Sequence, residues 1–262
     1  MSRPVTVGLD GSPESLAAAA WAAREALAYG APLRLVHVGD QPPYDYVPFA
    51  GEPIPAPGAD RRMPMLREAA ARLARGRPGL CVSAEQVPGR PVPTLVGEAE
   101  KAEMLVLGSR GLGRAVSVLI GSVASAVAAQ ARGPVVLVRS ASGRPGYEVV
   151  VGLALDAPDD DVLAFAFAAA ARRAEGLRVV HGHRWSSGPD GPHRVLAPWR
   201  ARFPGVEVSC EQVIGQAGAH LVDVSGSASL VVVGRRGEGA LGPAAHTVLR
   251  HAAAPVAIVP HL

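Results

Sequence analysis

The chain repeats itself, and the repeat limits what it can fold into more than any other feature. Leu33-Arg-Leu-Val-His-Val38 returns as Leu177-Arg-Val-Val-His-Gly182, 144 residues later. Glu85-Gln-Val87 followed by Gly89 returns as Glu211-Gln-Val213 followed by Gly215, and Gly108-Ser-Arg-Gly111 as Gly234-Arg-Arg-Gly237, each 126 residues later. Pro134-Val-Val-Leu-Val138 returns as Pro255-Val-Ala-Ile-Val259, 121 residues later. The order is kept while the offset shrinks, so one unit is written twice, with residues lost from the second copy after His181 and between Gly237 and Pro255. The boundary falls in the small-residue segment Ser140-Ala-Ser-Gly-Arg-Pro-Gly146. Two domains are expected, residues 1–140 and 147–262.

Each unit alternates strand and helix patterns. In copy one, Val5–Leu9, Leu33–Val38, Cys81–Val87, Met104–Leu107 and Pro134–Val138 are short apolar runs suited to buried parallel strands. Between them lie helical stretches. Ser12 is placed to cap a helix with Pro13 at its first position and Gly30 at its stop. Leu66–Arg75, Thr94–Lys101 and Ser122–Ala131 read as the others, and the proline-rich stretch Gln41–Ala59 as a surface loop. Such alternation gives a parallel α/β sheet with right-handed crossovers, five strands per copy.

Composition narrows the function classes. Apolar residues make up 48% of the 262 and charged residues 19%, the balance of a folded chain. Aromatics at 4% argue against a base-stacking single-strand binder, and a net charge of +3, spread out, makes no nucleic-acid stripe. Cys81 and Cys210 stand in no metal or redox spacing, which suits a reducing compartment. Met1 leads straight into Val5-Thr-Val7, with no apolar signal core, and the charge-free run Ala115–Ala131, with three serines, a glycine and a glutamine, is too polar and slightly short to span a bilayer. A cytoplasmic protein acting on neither membrane nor nucleic acid is expected.

The chemistry concentrates after Met104–Leu107. That strand runs into Gly108-Ser-Arg-Gly111, and a helix opens at Gly121-Ser122. The carboxyl end of a parallel strand is where such sheets bind ligands. Glycines let backbone amides reach an anion, and a helix start adds free N–H groups and a positive dipole end. Arg110 and Arg114 suit a solvated loop or a phosphate contact. No Ser-His-Asp, Cys-His or His-x-x-Glu-His arrangement appears, and no general base is evident. His37 and His181 are repeat equivalents at strand ends with a structural role, and His246 and His251 miss the same-face helical spacing.

The full spacing Gly108, two residues, Gly111, nine residues, Gly121-Ser122 resembles the phosphate-binding pattern of the universal stress protein family. The strand end Val7-Gly-Leu-Asp-Gly-Ser12 resembles that family's opening, and Gly133-Pro-Val-Val its close. The resemblance extends to most of copy two and implies two tandem open five-stranded parallel sheets in the order 3-2-1-4-5, helices on both faces, in the manner of the adenine nucleotide alpha-hydrolases. It implies a stress-response regulator binding ATP at the carboxyl edge of copy one, with Mg²⁺ on the phosphates. Activity would not exceed slow ATP hydrolysis or self-phosphorylation; the alternative is a ligand-free interaction module of the same fold. Carried over by position, Gly8, Leu9 and Asp10 would lie beside the adenosine and Val38 against the base. Leu107, Gly108 and Gly111 would form the near wall, and Gly121, Ser122 and Val123 would hold the phosphates. The related ATP-pyrophosphatases open Ser-Gly-Gly-x-Asp-Ser, which Leu9-Asp-Gly-Ser-Pro-Glu14 does not resemble.

Copy two departs from this pattern. Gly242-Pro243 stands opposite Gly121-Ser122, with four residues after Gly237 in place of nine. Asp156 is the candidate equivalent of Asp10, and Asp159–Asp161 the opening of a helix. ATP is therefore expected in copy one only. The apolar final strands are expected to pair with one another as an intramolecular pseudo-dimer, and a homodimer is compatible with the family.

Overall fold

The computed structural model describes residues 2–39, 59–109, 121–139, 146–154, 158–182, 191–215, 217–237 and 239–261. Copy one runs β1 (Val5–Gly8), α1 (Pro13–Tyr29), β2 (Leu33–Gly39), α2 (Ala59–Ala74), β3 (Val82–Pro88), α3 (Pro91–Lys101), β4 (Met104–Ser109), α4 (Ser122–Gln130) and β5 (Val135–Arg139). Copy two runs β6 (Glu148–Leu153), α5 (Asp160–Arg173), β7 (Gly176–Gly182), α6 (Gly191–Arg202), β8 (Val208–Val213), α7 (Ala217–Val224), β9 (Ala228–Arg236), α8 (Pro243–His251) and β10 (Val256–His261).

Local signals set the element ends. Ser12 caps α1 by accepting from the Ser15 N–H at 3.2 Å, and Gly30 ends it in the left-handed conformation at φ 57°. Asp159 caps α5 by accepting from the N–H groups of Asp161 and Val162. Helix α2 starts at Ala59, well before the expected Leu66, and carries Pro64 inside it. Pro64 stands past the first turn and removes one backbone hydrogen bond of the helix, and buried Leu66, Ala69 and Leu73 hold the helix on the sheet despite it. The rest of the expected loop, and residues 140–145 of the expected linker, lie outside the described residues.

The strands form one ten-stranded sheet in the order β3-β2-β1-β4-β5-β10-β9-β6-β7-β8. Each half has the expected order 3-2-1-4-5, and all pairs within a half are parallel. The halves meet at the expected final strands. β5 and β10 pair antiparallel, with Val135 opposite Ile258, Val136 opposite Ala257 and Leu137 opposite Val256. This pairing closes two apolar edges that would otherwise invite aggregation.

Side-chain alternation along the strands builds two cores. Val5, Val7, Leu33, Leu35, Val136, Val149 and Ala257 face α1, α2, α5 and α6. Leu105, Leu107, Val135, Leu137, Val231 and Ile258 face α3, α4, α7 and α8. Copy two covers the first face with a shorter α6, and Phe167 stacks there on Trp199 and Phe203 at centroid distances of 5.9 and 5.6 Å. Both cores run across the seam. On one face Arg173 meets Glu25 at 2.7 Å and Arg172 lies over the Tyr29 ring at 3.9 Å. On the other, Arg235 donates to the Ala131 carbonyl, and the Gly239 N–H donates to the Ala129 carbonyl at 3.0 Å.

Val136 is fully buried at the middle of the seam. Val136→Asp is expected to cost about 3–5 kcal/mol, the penalty of an uncompensated buried charge. Urea denaturation should show the midpoint shifted down by a corresponding amount; an unchanged midpoint would show that the seam contributes little.

Candidate functional site

Strands β1, β2 and β4 end side by side, and above their carboxyl ends lies a cavity of about 520 Å³. Gly8, Leu9, Asp10, Val38, Leu107, Gly108, Gly121, Ser122 and Val123 all line it. Gly111, Arg110 and Arg114 lie outside the described residues.

The floor depends on two close approaches. A Cβ on Gly108 would stand 2.7–2.8 Å from the backbone of Glu14 and Ser15, so the glycine lets the first turn of α1 rest on the end of β4. A Cβ on Gly8 would stand 2.5 Å from Leu107 Cδ2 and 3.3 Å from Leu95 Cδ2. A larger residue at this position would therefore meet the leucines of β4 and α3 beside the cavity.

Asp10 is held by its own turn. Its Oδ1 accepts from the Ser12 N–H at 2.9 Å and from the Ser12 hydroxyl at 2.5 Å, while the Ser12 oxygen caps α1. Partial burial pushes its carboxyl up, but the Ser12 and Ser15 hydrogen bonds outweigh this and hold it below the usual range. Asp10 is therefore a fixed, ionised acceptor at the rim.

Across the cavity, α4 opens at Gly121 with no side-chain cap. Its first-turn amides have neither an intrahelical acceptor nor a capping side chain, which makes this end the natural place for an anion. By contrast, α1 is capped by Ser12, so the two helix starts at the cavity are not equivalent.

The structure adds Ser12, Glu14, Ser15, Val36, His37, Pro91, Leu95 and Ala124 to the lining. Ser12 and Glu14 were legible as helix-start residues, but not as cavity residues. Pro91 and Leu95 belong to α3, whose approach is set by packing alone. His37 serves the structural role expected of it: its Nδ1–H donates to the Leu9 carbonyl at 2.7 Å and ties β2 to the end of β1. His181, its repeat equivalent, is buried.

Copy two carries a cavity of about 550 Å³ in the corresponding place, lined by Gly152, Gly182, Gly234 and Gly242. Because β10 runs antiparallel to β5, it opens at the opposite edge of the sheet. Its helix start differs from that of the first cavity. α8 starts at Pro243, and β9 continues to Arg236, two residues past Gly234. His261, missed by sequence reasoning, pairs with Asp159 at 2.8 Å and packs over Gly234. No local pattern could reveal a contact between residues so far apart in the chain. Asp156 lies outside the described residues.

The family model described as "Universal stress protein family" matches residues 1–139. The chain belongs to the universal stress protein family. Universal stress protein Rv2005c of Mycobacterium tuberculosis is 33% identical over 98% of this chain and 99% of its own length. Universal stress protein Rv2623 of the same organism is 32% identical over 97% and 95%. The crystal structure of a universal stress protein from Archaeoglobus fulgidus shares the fold over 99% of both chains, with a TM-score of 0.74 at 17% identity. The tandem two-domain layout of this universal stress protein therefore extends over the whole length of such relatives. Among the described residues, no helix is long and apolar enough to cross a membrane, and no cluster of three or more His, Cys, Asp or Glu could hold a metal.

Ser12→Ala removes a donor to Asp10 and the α1 cap together. The Asp10 carboxyl should titrate closer to its ordinary value, as carbon-detected NMR would show. A depressed folded-state pKa gives stability that is present above the unfolded value and lost as pH falls through the folded one. The variant should therefore lose less stability than wild type on acidification, on top of a pH-independent loss of about 1 kcal/mol from the cap. An unmoved Asp10 titration would contradict the role given to Ser12.

Proposed function

We propose that this universal stress protein is a regulatory ATP-binding protein whose first copy holds the nucleotide in the cavity at the carboxyl ends of β1, β2 and β4. The observation that carries this reading is the meeting, in one cavity, of an uncapped helix start at Gly121-Ser122, a glycine floor at Gly8 and Gly108, and an ionised acceptor at Asp10. Asp10 would accept from the ribose hydroxyls. Val38, Leu95 and Leu107 would pack on the base. The first amides of α4 and the Ser122 hydroxyl would donate to the phosphates. Gly111 would complete the cradle. Mg²⁺ would be carried by the phosphates and would offset their charge.

Binding is favoured over turnover. Asp10 Oδ1 is engaged by Ser12, and the His37 Nδ1–H by the Leu9 carbonyl. Asp10, held below the usual carboxylate range, is a weak base, and the Nδ1–H donation leaves only Nε2 of His37 able to take a proton, so hydrolysis or self-phosphorylation would at most be slow.

ATP at about one hundred times its dissociation constant adds about 2.7 kcal/mol of stability. At about 2–4 °C per kcal/mol for a chain of this size, the melting temperature should rise by about 5–10 °C. Asp10→Ala should remove most of that rise. No shift with millimolar ATP and Mg²⁺ would favour the ligand-free interaction module.

The second copy should not share the nucleotide. Pro243 supplies neither the N–H nor the hydroxyl of Ser122, a loss of two charge-assisted hydrogen bonds at about 1.5–3 kcal/mol each. That is about a hundredfold or more in affinity. Calorimetric titration of the whole chain should give a stoichiometry near one ATP, and a value near two would show that the shortened loop still suffices.

A further inference from the structure

Helix α4 presents its start to the first cavity and its end to the other copy. It is nine residues long, with no side-chain cap at Gly121 and no basic residue in its last turn. A helix of that length is marginal by itself, and its last carbonyls need donors from outside. Its counterpart α8 carries Arg250 and His251 in its own last turn.

Copy two supplies what α4 lacks. Arg235, near the end of β9 and only 2% exposed, donates through Nη2 to the Ala131 carbonyl and through Nη1 to the Gly237 carbonyl. The Gly239 N–H donates to the Ala129 carbonyl at 3.0 Å. Gly237 and Gly239 have φ of 67° and 90°, a left-handed backbone that glycine adopts without steric strain. Two carbonyls at the negative end of the helix are thus satisfied, one of them by a buried cation, which also stabilises the helix through its dipole.

The repeat shows that the fold does not require these contacts. Arg235 stands at the position of Ser109, whose hydroxyl donates to the Val138 carbonyl of its own copy at 3.2 Å. The contact in the other direction, Arg139 Nη2 on the Leu249 carbonyl of α8 at 2.6 Å, comes from the end of β5 and not from the glycine segment. Only in copy two do residues of the glycine segment cross the seam to a helix of the other copy, among the described residues.

We propose that Arg235 and Gly239 of copy two position the phosphate-binding start of α4, so that copy two sets the affinity of the first cavity. The inference rests on the reading that this cavity holds ATP. Donors that hold the last carbonyls of so short a helix keep it helical, and only the helical state presents the Ser122 and Val123 amides together. Where a smaller fraction of molecules holds that state, the apparent affinity falls by the same fraction. Arg235 lines neither cavity and acts through α4 as a positioning residue. The coupling is reciprocal, so ATP at the start of α4 holds Gly239 more firmly at its end.

Isothermal titration of ATP with Mg²⁺ into the full chain compares wild type with Arg235→Met and Arg139→Met. Each variant removes an arginine donor to a helix end across the seam, but only the first donor ends on α4. Arg235→Met should weaken ATP about fivefold or more, as coupled sites do, and Arg139→Met should leave the affinity unchanged. An equal loss in both variants, or none in Arg235→Met, would overturn the proposal. If Arg235→Met does not fold, amide hydrogen exchange of wild type decides. ATP should slow exchange of the Gly239 N–H more than that of the Ala252 N–H, which bonds the Val248 carbonyl at the end of α8 and reports general stabilisation. Equal slowing of the two would overturn the proposal. No ATP binding by wild type would overturn the nucleotide reading and the proposal with it, whereas wild-type binding with an unaffected Arg235→Met overturns the proposal alone.

Discussion

The antiparallel ladder between β5 and β10 is the contact on which the remaining architecture rests. Five-stranded open sheets end in two edges, and here the most apolar edge of each half is consumed by the other. The pairing residues, Val135 to Leu137 and Val256 to Ile258, are all essentially buried. Either half alone would leave a run of valine, leucine and isoleucine with unpaired backbone groups, the arrangement that promotes association. With both present, the two cores become continuous, and helices from different copies meet on each face.

The direction of that ladder has a functional consequence. Parallel strands put their carboxyl ends on one side, and the antiparallel seam turns the second half over. The two cavities therefore open on opposite edges of one sheet, and no residue lines both. Each copy could diverge at its own cavity without disturbing the other, provided its strands still fed the seam. That is the pattern observed: copy two keeps its strand order while its glycine segment shortens and β9 lengthens through Arg236.

The close approach at Gly108 shows how local chemistry and packing divide the work at the first cavity. The glycine is visible as a letter after an apolar run, but its purpose lies in the first turn of α1, whose backbone a Cβ would meet at 2.7 Å. Asp10 gives the complementary case. Its turn with Ser12 is local, two residues long, and could be anticipated from the Asp-Gly-Ser order, whereas its place on the rim opposite the uncapped start of α4 comes from strand order.

The sequence by itself determined the repeat, the strand and helix alternation, the caps at Ser12, Gly30 and Asp159, and the glycines that border the first cavity. These are short-range properties: apolar runs, capping side chains and glycine turns act within a few residues of themselves. Tertiary structure alone decided what spans the chain. It fused the halves into one sheet, set Leu95 over Gly8, paired His261 with Asp159, and brought Glu25 of one copy against Arg173 of the other. Such contacts depend on how far each helix shifts over the sheet and on the direction of the seam. No local pattern encodes either, because both are set by the packing of side chains distant in the chain.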